Sequence, residues 1–163
     1  KPFSVLLVED DDPLRSVLHD LLHGSGFVVH AASRGDEAVE LARTVEIDFS
    51  LLDLHLPGFN GVEVFRRIAS EVRPLPAILM SGGASPQEAR AALDMGIVQF
   101  LQKPLDLNIL RRTLDELVRL HLSHPHGHLP ARIEDIWPAN LWLAELRRAL
   151  HRRLRPHLPP DRD

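Results

Sequence analysis

The chain has 163 residues, 44% of them hydrophobic and 26% charged, with a net charge of -4, so it can bury one core and carry an appendage, and its composition is neither disordered nor fibrous. It contains no cysteine, which excludes disulfides, thiolate metal sites and cysteine nucleophiles together. No apolar run approaches the roughly 18 residues that span a bilayer, and Lys1-Pro2-Phe3 opens no signal-peptide pattern, so a soluble, cytoplasmic protein without a membrane span is expected.

Along the chain, short apolar runs alternate with segments of helical period. The runs are Phe3 to Val8 (FSVLLV), Phe27 to Ala31 (FVVHA), Phe49 to Leu52 (FSLL), Ala77 to Met80 (AILM) and Val98 to Leu101 (VQFL). Runs of this kind, rich in Val, Ile, Leu and Phe, read as strands buried on both faces of a parallel sheet. Between them come Leu14, Val17, Leu18, Leu21 and Leu22, then Ala38, Val39, Leu41 and Ala42, then Val62, Val64, Phe65 and Ile68, then Ala89, Ala92 and Leu93, and last Ile109, Leu110, Leu114, Leu117 and Val118. Five strand–helix repeats predict a doubly wound α/β domain. Ser85-Pro86 with Glu88 has capping-box spacing, Gly24, Gly26 and Gly96 sit where helices stop, and Pro57-Gly58 with Asn60-Gly61 has turn chemistry.

Past Leu120 the character changes. "HLSHPHGHLP" has no apolar period, and six of the thirteen prolines lie beyond residue 122, which predicts a linker over 122–139 between a domain at 1–121 and a last segment at 140–163. In that last segment helical period returns, with Trp142, Leu143, Leu146, Ala149, Leu150 and Leu154 on one side and Arg147, Arg148, Arg152, Arg153 and Arg155 opposite. Charge divides along the same line: residues 1–121 hold 12 Lys/Arg against 18 Asp/Glu, and residues 122–163 hold 7 against 5. The apolar stripe is expected to bury itself against the domain, a second copy or a partner. The arginine face reads as solvated, so nucleic acid is not expected as a partner, and His121, His124, His126 and His128, in a proline-broken stretch, read as solvated histidines rather than metal ligands.

In an open α/β sheet, functional groups gather beyond the carboxyl ends of the strands. Those positions hold Glu9, Asp10, Asp11 and Asp12 after the first strand, Asp53 after the third, Ser81 after the fourth and Lys103 after the fifth. In the strand order 2-1-3-4-5, Glu9, Asp10 and Asp53 crowd one pocket, and unpaired carboxylates there repel one another. A hard divalent cation relieves the repulsion, and Mg²⁺ prefers carboxylate oxygens and water. With the cation present Asp53 is a candidate nucleophile toward a phosphoryl group, whose charge Lys103 and the Ser81 hydroxyl can share. Lys1 and Lys103 are the only lysines in an arginine-rich chain, and a compact ammonium fits a tight phosphoryl pocket where a planar guanidinium does not.

The acidic pair in "LLVEDD", the acceptor in "LLDLHLPGFNG", the hydroxyl in "LMSGG" and the lysine in "FLQKP" together resemble the receiver domain of two-component response regulators, over about residues 3 to 121. The resemblance implies a flavodoxin-like (βα)5 sheet, to which the helical period past residue 140 adds an expected C-terminal helical extension. It implies that Asp53 takes a phosphoryl group from a histidine kinase or phosphotransfer protein, and that Glu9, Asp10, Asp53 and the backbone carbonyl of His55 surround Mg²⁺. It further implies that Ser81 and Phe100 form a switch pair and that Lys103 binds the phosphoryl group beside a lysine–proline bond that is typically cis. Glu9, Ser81 and Phe100 stand where Asp, Thr and Tyr are commoner in that family, Ile97 stands where a small residue is usual, and His55 occupies a position that tunes phosphoryl lifetime.

The function expected is a phosphoacceptor module in phosphorelay signalling, not an enzyme acting on outside substrates, whose output runs through a protein partner or through self-association of the C-terminal helix. Two rivals share the receiver: a DNA-binding transcription regulator, for which the tail offers no two-helix turn pattern, and a piece of a hybrid histidine kinase. A metal-dependent phosphatase uses similar groups but needs a second acid beside the nucleophile, where His55 stands instead.

Overall fold

The computed structural model describes residues 2–95 and 97–123. The expected stop at Gly96, most of the 122–139 linker and the helix expected within 140–163 lie outside the described residues.

Among the described residues five strands and five helices alternate: β1 (Ser4–Val8), α1 (Asp12–Gly24), β2 (Val28–Ala32), α2 (Gly35–Thr44), β3 (Phe49–Asp53), α3 (Gly61–Glu71), β4 (Ala77–Ser81), α4 (Pro86–Asp94), β5 (Gln99–Gln102) and α5 (Leu107–Ser123). The strands form one sheet in the order β2-β1-β3-β4-β5, which is the doubly wound, flavodoxin-like arrangement. β1 pairs in parallel with β2, Ser4 against Val28, and with β3, Val5 against Phe49. α5 runs to Ser123, two residues into the stretch expected to be linker.

The chain divides into two compact units, Lys1–Leu79 and Met80–Asp163. In the first, Val5, Leu6, Leu7 and Val8 of β1 and Leu51 and Leu52 of β3 are wholly buried, and each such side chain contributes about 1.5–3 kcal/mol by leaving water. Leu18 and Leu22 of α1, Ala38 and Val39 of α2, Val64 and Ile68 of α3, and Ile78 and Leu79 of β4 are among the residues that join this core. In the second unit the buried residues include Met80, Ile97 and Val98, Ala89 and Ala92 of α4, Phe100 and Leu101 of β5, and Leu110, Leu114 and Leu117 of α5.

Two expectations need correction. β2 is not buried on both faces: only Ala32 is fully buried, and Val28 is 41% exposed, because β2 is an edge strand and lacks a neighbour on one side. Val17, placed by its period on the apolar face of α1, is 51% exposed; the buried stripe is the narrower Leu18–Leu22 pair, one helical turn apart.

Candidate functional site

Glu9 follows β1, and its burial is complete. Asp10 beside it is exposed. Asp53 and Ser81, expected just past their strands, are the last residues of β3 and β4, at 4% and 1% exposure. The strand backbone therefore fixes the Cα of each directly.

One carboxylate oxygen from each of Glu9, Asp10 and Asp53 lies within 4.8 Å of the other two. Two like charges at that spacing repel by about 3 kcal/mol at an effective dielectric of about 20, and the burial of Glu9 and Asp53 adds desolvation. A set made of carboxylate oxygens alone is the donor chemistry of a hard cation rather than of Zn²⁺ or Cu²⁺. Mg²⁺ fits these residues on both counts, charge and donor type. Local hydrogen bonds order the cluster. The Asp11 N–H donates to Glu9 Oε1 at 3.2 Å, and the His55 N–H donates to Asp53 Oδ1 at 3.2 Å. His55 itself is exposed.

The loop between β3 and α3 is shaped by two glycines. Gly58 has φ of 79°, the left-handed conformation expected of a Pro-Gly turn. Gly61, expected to belong to a turn, instead begins α3, because Asn60 acts as the N-cap: its side-chain oxygen accepts from the Glu63 N–H at 2.9 Å. The Gly61 N–H donates to the Leu54 carbonyl at 2.9 Å, and a Cβ on Gly61 would collide with the carbonyl oxygen of Asp53 and come within 2.9 Å of Leu79 Cδ1. The helix start is thus seated directly against the backbone of the expected phosphoryl acceptor.

In the second unit, the Lys103 N–H donates to the Ser81 carbonyl at 2.8 Å, tying the residue after β5 to the end of β4. Ser81 Oγ accepts from the Gly83 N–H at 3.2 Å, and a hydroxyl that accepts still carries a proton to donate. Phe100 is buried within β5 at 3% exposure. The Lys103–Pro104 bond is cis, as the resemblance implies. α4 opens as expected, with the Ser85 hydroxyl accepting from the Glu88 N–H at 3.1 Å.

One contributor was not anticipated from the sequence. Arg15 of α1 is 24% exposed and reaches back over the helix start, donating to the Glu9 carbonyl at 2.9 Å and to the Asp12 carboxylate at 2.5 Å. The spacing of Asp12 and Arg15 is a recognisable i, i+3 ion pair; the bond to Glu9 carries no sequence signal.

Comparison with known proteins identifies the family and agrees with the fold. The response regulator receiver domain family matches residues 5–115, and the chain belongs to that family. It is 31% identical over 121 residues to a cyclic di-GMP phosphodiesterase of Thermotoga maritima, covering 74% of this chain and 32% of that protein. It is 29% identical over 120 residues to the cell cycle response regulator CtrA of Brucella ovis, covering 74% of this chain and 52% of that one. The chain therefore spans between about a third and about a half of the length of these relatives. Among solved structures, a putative response regulator from Chloroflexus aurantiacus superposes with a TM-score of 0.65 at 27% identity, over 70% of this chain and 95% of that one. Among the described residues no helix is long and apolar enough to cross a membrane.

Proposed function

We propose that this receiver domain is switched by Mg²⁺-dependent phosphorylation of Asp53, with a histidine kinase or phosphotransfer protein as donor. The observation that carries the reading is the convergence of the Glu9, Asp10 and Asp53 carboxylates within 4.8 Å, two of them buried. Membership of the receiver family supports a signalling role in a two-component system. Glu9, Asp10, Asp53 and the His55 carbonyl would hold Mg²⁺, which when bound supplies positive charge to offset the phosphoryl oxygens.

In the proposed transfer, an Asp53 carboxylate oxygen attacks phosphorus, the new O–P bond forms, and the P–N bond of the donor phosphohistidine breaks with its electron pair leaving on the imidazole nitrogen. Lys103 then neutralises a phosphoryl oxygen as a compact point charge. The Ser81 hydroxyl donates to another, and its movement repacks the Phe100 ring, which is buried in this structure, so that a local charge change reshapes a protein-binding surface. The two relatives carry different names and match over only part of their length, so no output is carried over from them. In the sequence, the helical spacing of Trp142, Leu146 and Leu150, which lie outside the described residues, supports a protein partner, or self-association, over a nucleic acid.

Amide NMR spectra with and without beryllofluoride and Mg²⁺ test the switch. The parent chain is expected to shift at Ser81 and Phe100. Lys103→Arg is expected to keep the fold and lose most of that response, because a planar fork cannot take the place of the ammonium. A parent that shows no shift at those residues contradicts the switch, and a Lys103→Arg chain with the parent's full pattern contradicts the role given to lysine.

A further inference from the structure

We propose that Arg15 is a positioning residue for the cation site: although positively charged, it raises the affinity of the acidic cluster for Mg²⁺ by fixing the loop that presents Glu9 and Asp10. This rests on the reading of Glu9, Asp10 and Asp53 as the Mg²⁺ ligands.

The turn from β1 into α1 carries four acids in succession, Glu9 to Asp12, and their mutual repulsion favours a splayed loop. The usual restraint on such a turn is a side-chain cap, yet Asp11 occupies the N-cap position of α1 and makes no capping hydrogen bond with its side chain. Arg15, a donor that cannot cap a backbone N–H, restrains the turn differently, by donating to oxygens on it from the next turn of the helix. One guanidinium nitrogen bonds the Glu9 carbonyl and another the Asp12 carboxylate, so both ends of the acidic run are held by one rigid planar group. Asp12 is thereby drawn onto Arg15. Glu9, whose carboxylate also accepts from the Asp11 N–H, has its backbone set by the same clamp.

Two physical effects of Arg15 oppose each other, and the sign of the result separates them. As a nearby positive charge, Arg15 should weaken cation binding, and its removal should tighten it. As the group that orients the groups around a ligand, its removal should weaken binding by about tenfold, the lower end of what loss of an outer-shell partner costs. The hydrogen bonds to the Glu9 carbonyl and Asp12 make the second effect the larger one.

The test is titration of the full chain with Mg²⁺ by calorimetry, using the parent, Arg15→Met, Arg15→Lys and Asp53→Asn, with thermal unfolding in Mg²⁺-free buffer as a check on folding. The expected result is an affinity about tenfold lower for Arg15→Met and intermediate for Arg15→Lys, whose ammonium keeps the charge and can reach one acceptor, with the Mg²⁺-free unfolding midpoints of the two close together. Unchanged or tighter Mg²⁺ binding by Arg15→Met overturns the proposal. So does equal loss of affinity in both Arg15 variants in step with a fall in midpoint, which marks a general stability effect. A parent that binds no Mg²⁺, or an Asp53→Asn chain that binds it as the parent does, removes the site itself and the proposal with it, and is distinguishable from a failure at Arg15 alone.

Discussion

Gly61→Ala is expected to destabilise the amino-terminal unit, although alanine is by about 1 kcal/mol the better residue inside a helix. The added methyl has nowhere to go: the Asp53 carbonyl oxygen and Leu79 Cδ1 already occupy its place, and both belong to strands of the buried sheet. Overpacking of this kind costs about 1–3 kcal/mol, and more where the neighbour is backbone. A midpoint lower by about 10 °C in thermal unfolding follows for a domain of this size. The damage is also aimed at the site, since relief of the clash moves either α3 or the backbone of Asp53. Weakened Mg²⁺ binding should therefore accompany the loss of stability. A Gly61→Ala chain as stable as the parent, with the same Mg²⁺ affinity, would show that the contact between the helix start and the acceptor strand is slack.

Asp53→Asn is expected to reduce phosphoryl uptake from acetyl phosphate to background while leaving the fold intact. The amide keeps the volume of the carboxylate but has no nucleophilic anion, and it removes one of the three charges that make the cluster attractive to a cation. A consequence separate from chemistry follows by mass action. Mg²⁺ that binds the folded state raises the unfolding midpoint of the parent, and that rise should shrink in the variant because one ligand is lost. Labelling of Asp53→Asn at the parent's rate would mean that another residue is the acceptor. An undiminished stabilisation by Mg²⁺ would mean that Asp53 is not a ligand.

What the sequence made legible follows from the kind of interaction involved. Strands and helices are local patterns, so β1, β3, β4 and β5 could be read from apolar runs, and α4 from Ser85-Pro86 and Glu88. Strand order and the end-of-strand position of Glu9, Asp53, Ser81 and Lys103 come from topology, which the regular alternation of elements constrains. What could not be read depends on contacts between distant segments. The exposure of Val28 depends on β2 lying at the edge of the sheet. Gly61 looked like a turn residue because Asn-Gly is strong turn chemistry, and only the bond from the Glu63 N–H to Asn60 turns the same dipeptide into a helix start. Arg15 has no sequence signal for the site; only its bond to the Glu9 carbonyl places it beside the acidic cluster.

The central claim, that the acidic cluster makes Asp53 the phosphoryl acceptor, is tested most directly by site mapping. The full chain is incubated with acetyl phosphate, with Mg²⁺ or with a chelator, and the acyl phosphate is trapped by borohydride reduction before peptide mass analysis. One phosphoryl group, carried by the peptide that contains Asp53 and present only when Mg²⁺ is supplied, is the predicted result. Modification at a different residue, or at Asp53 to the same extent with the cation chelated, would contradict it.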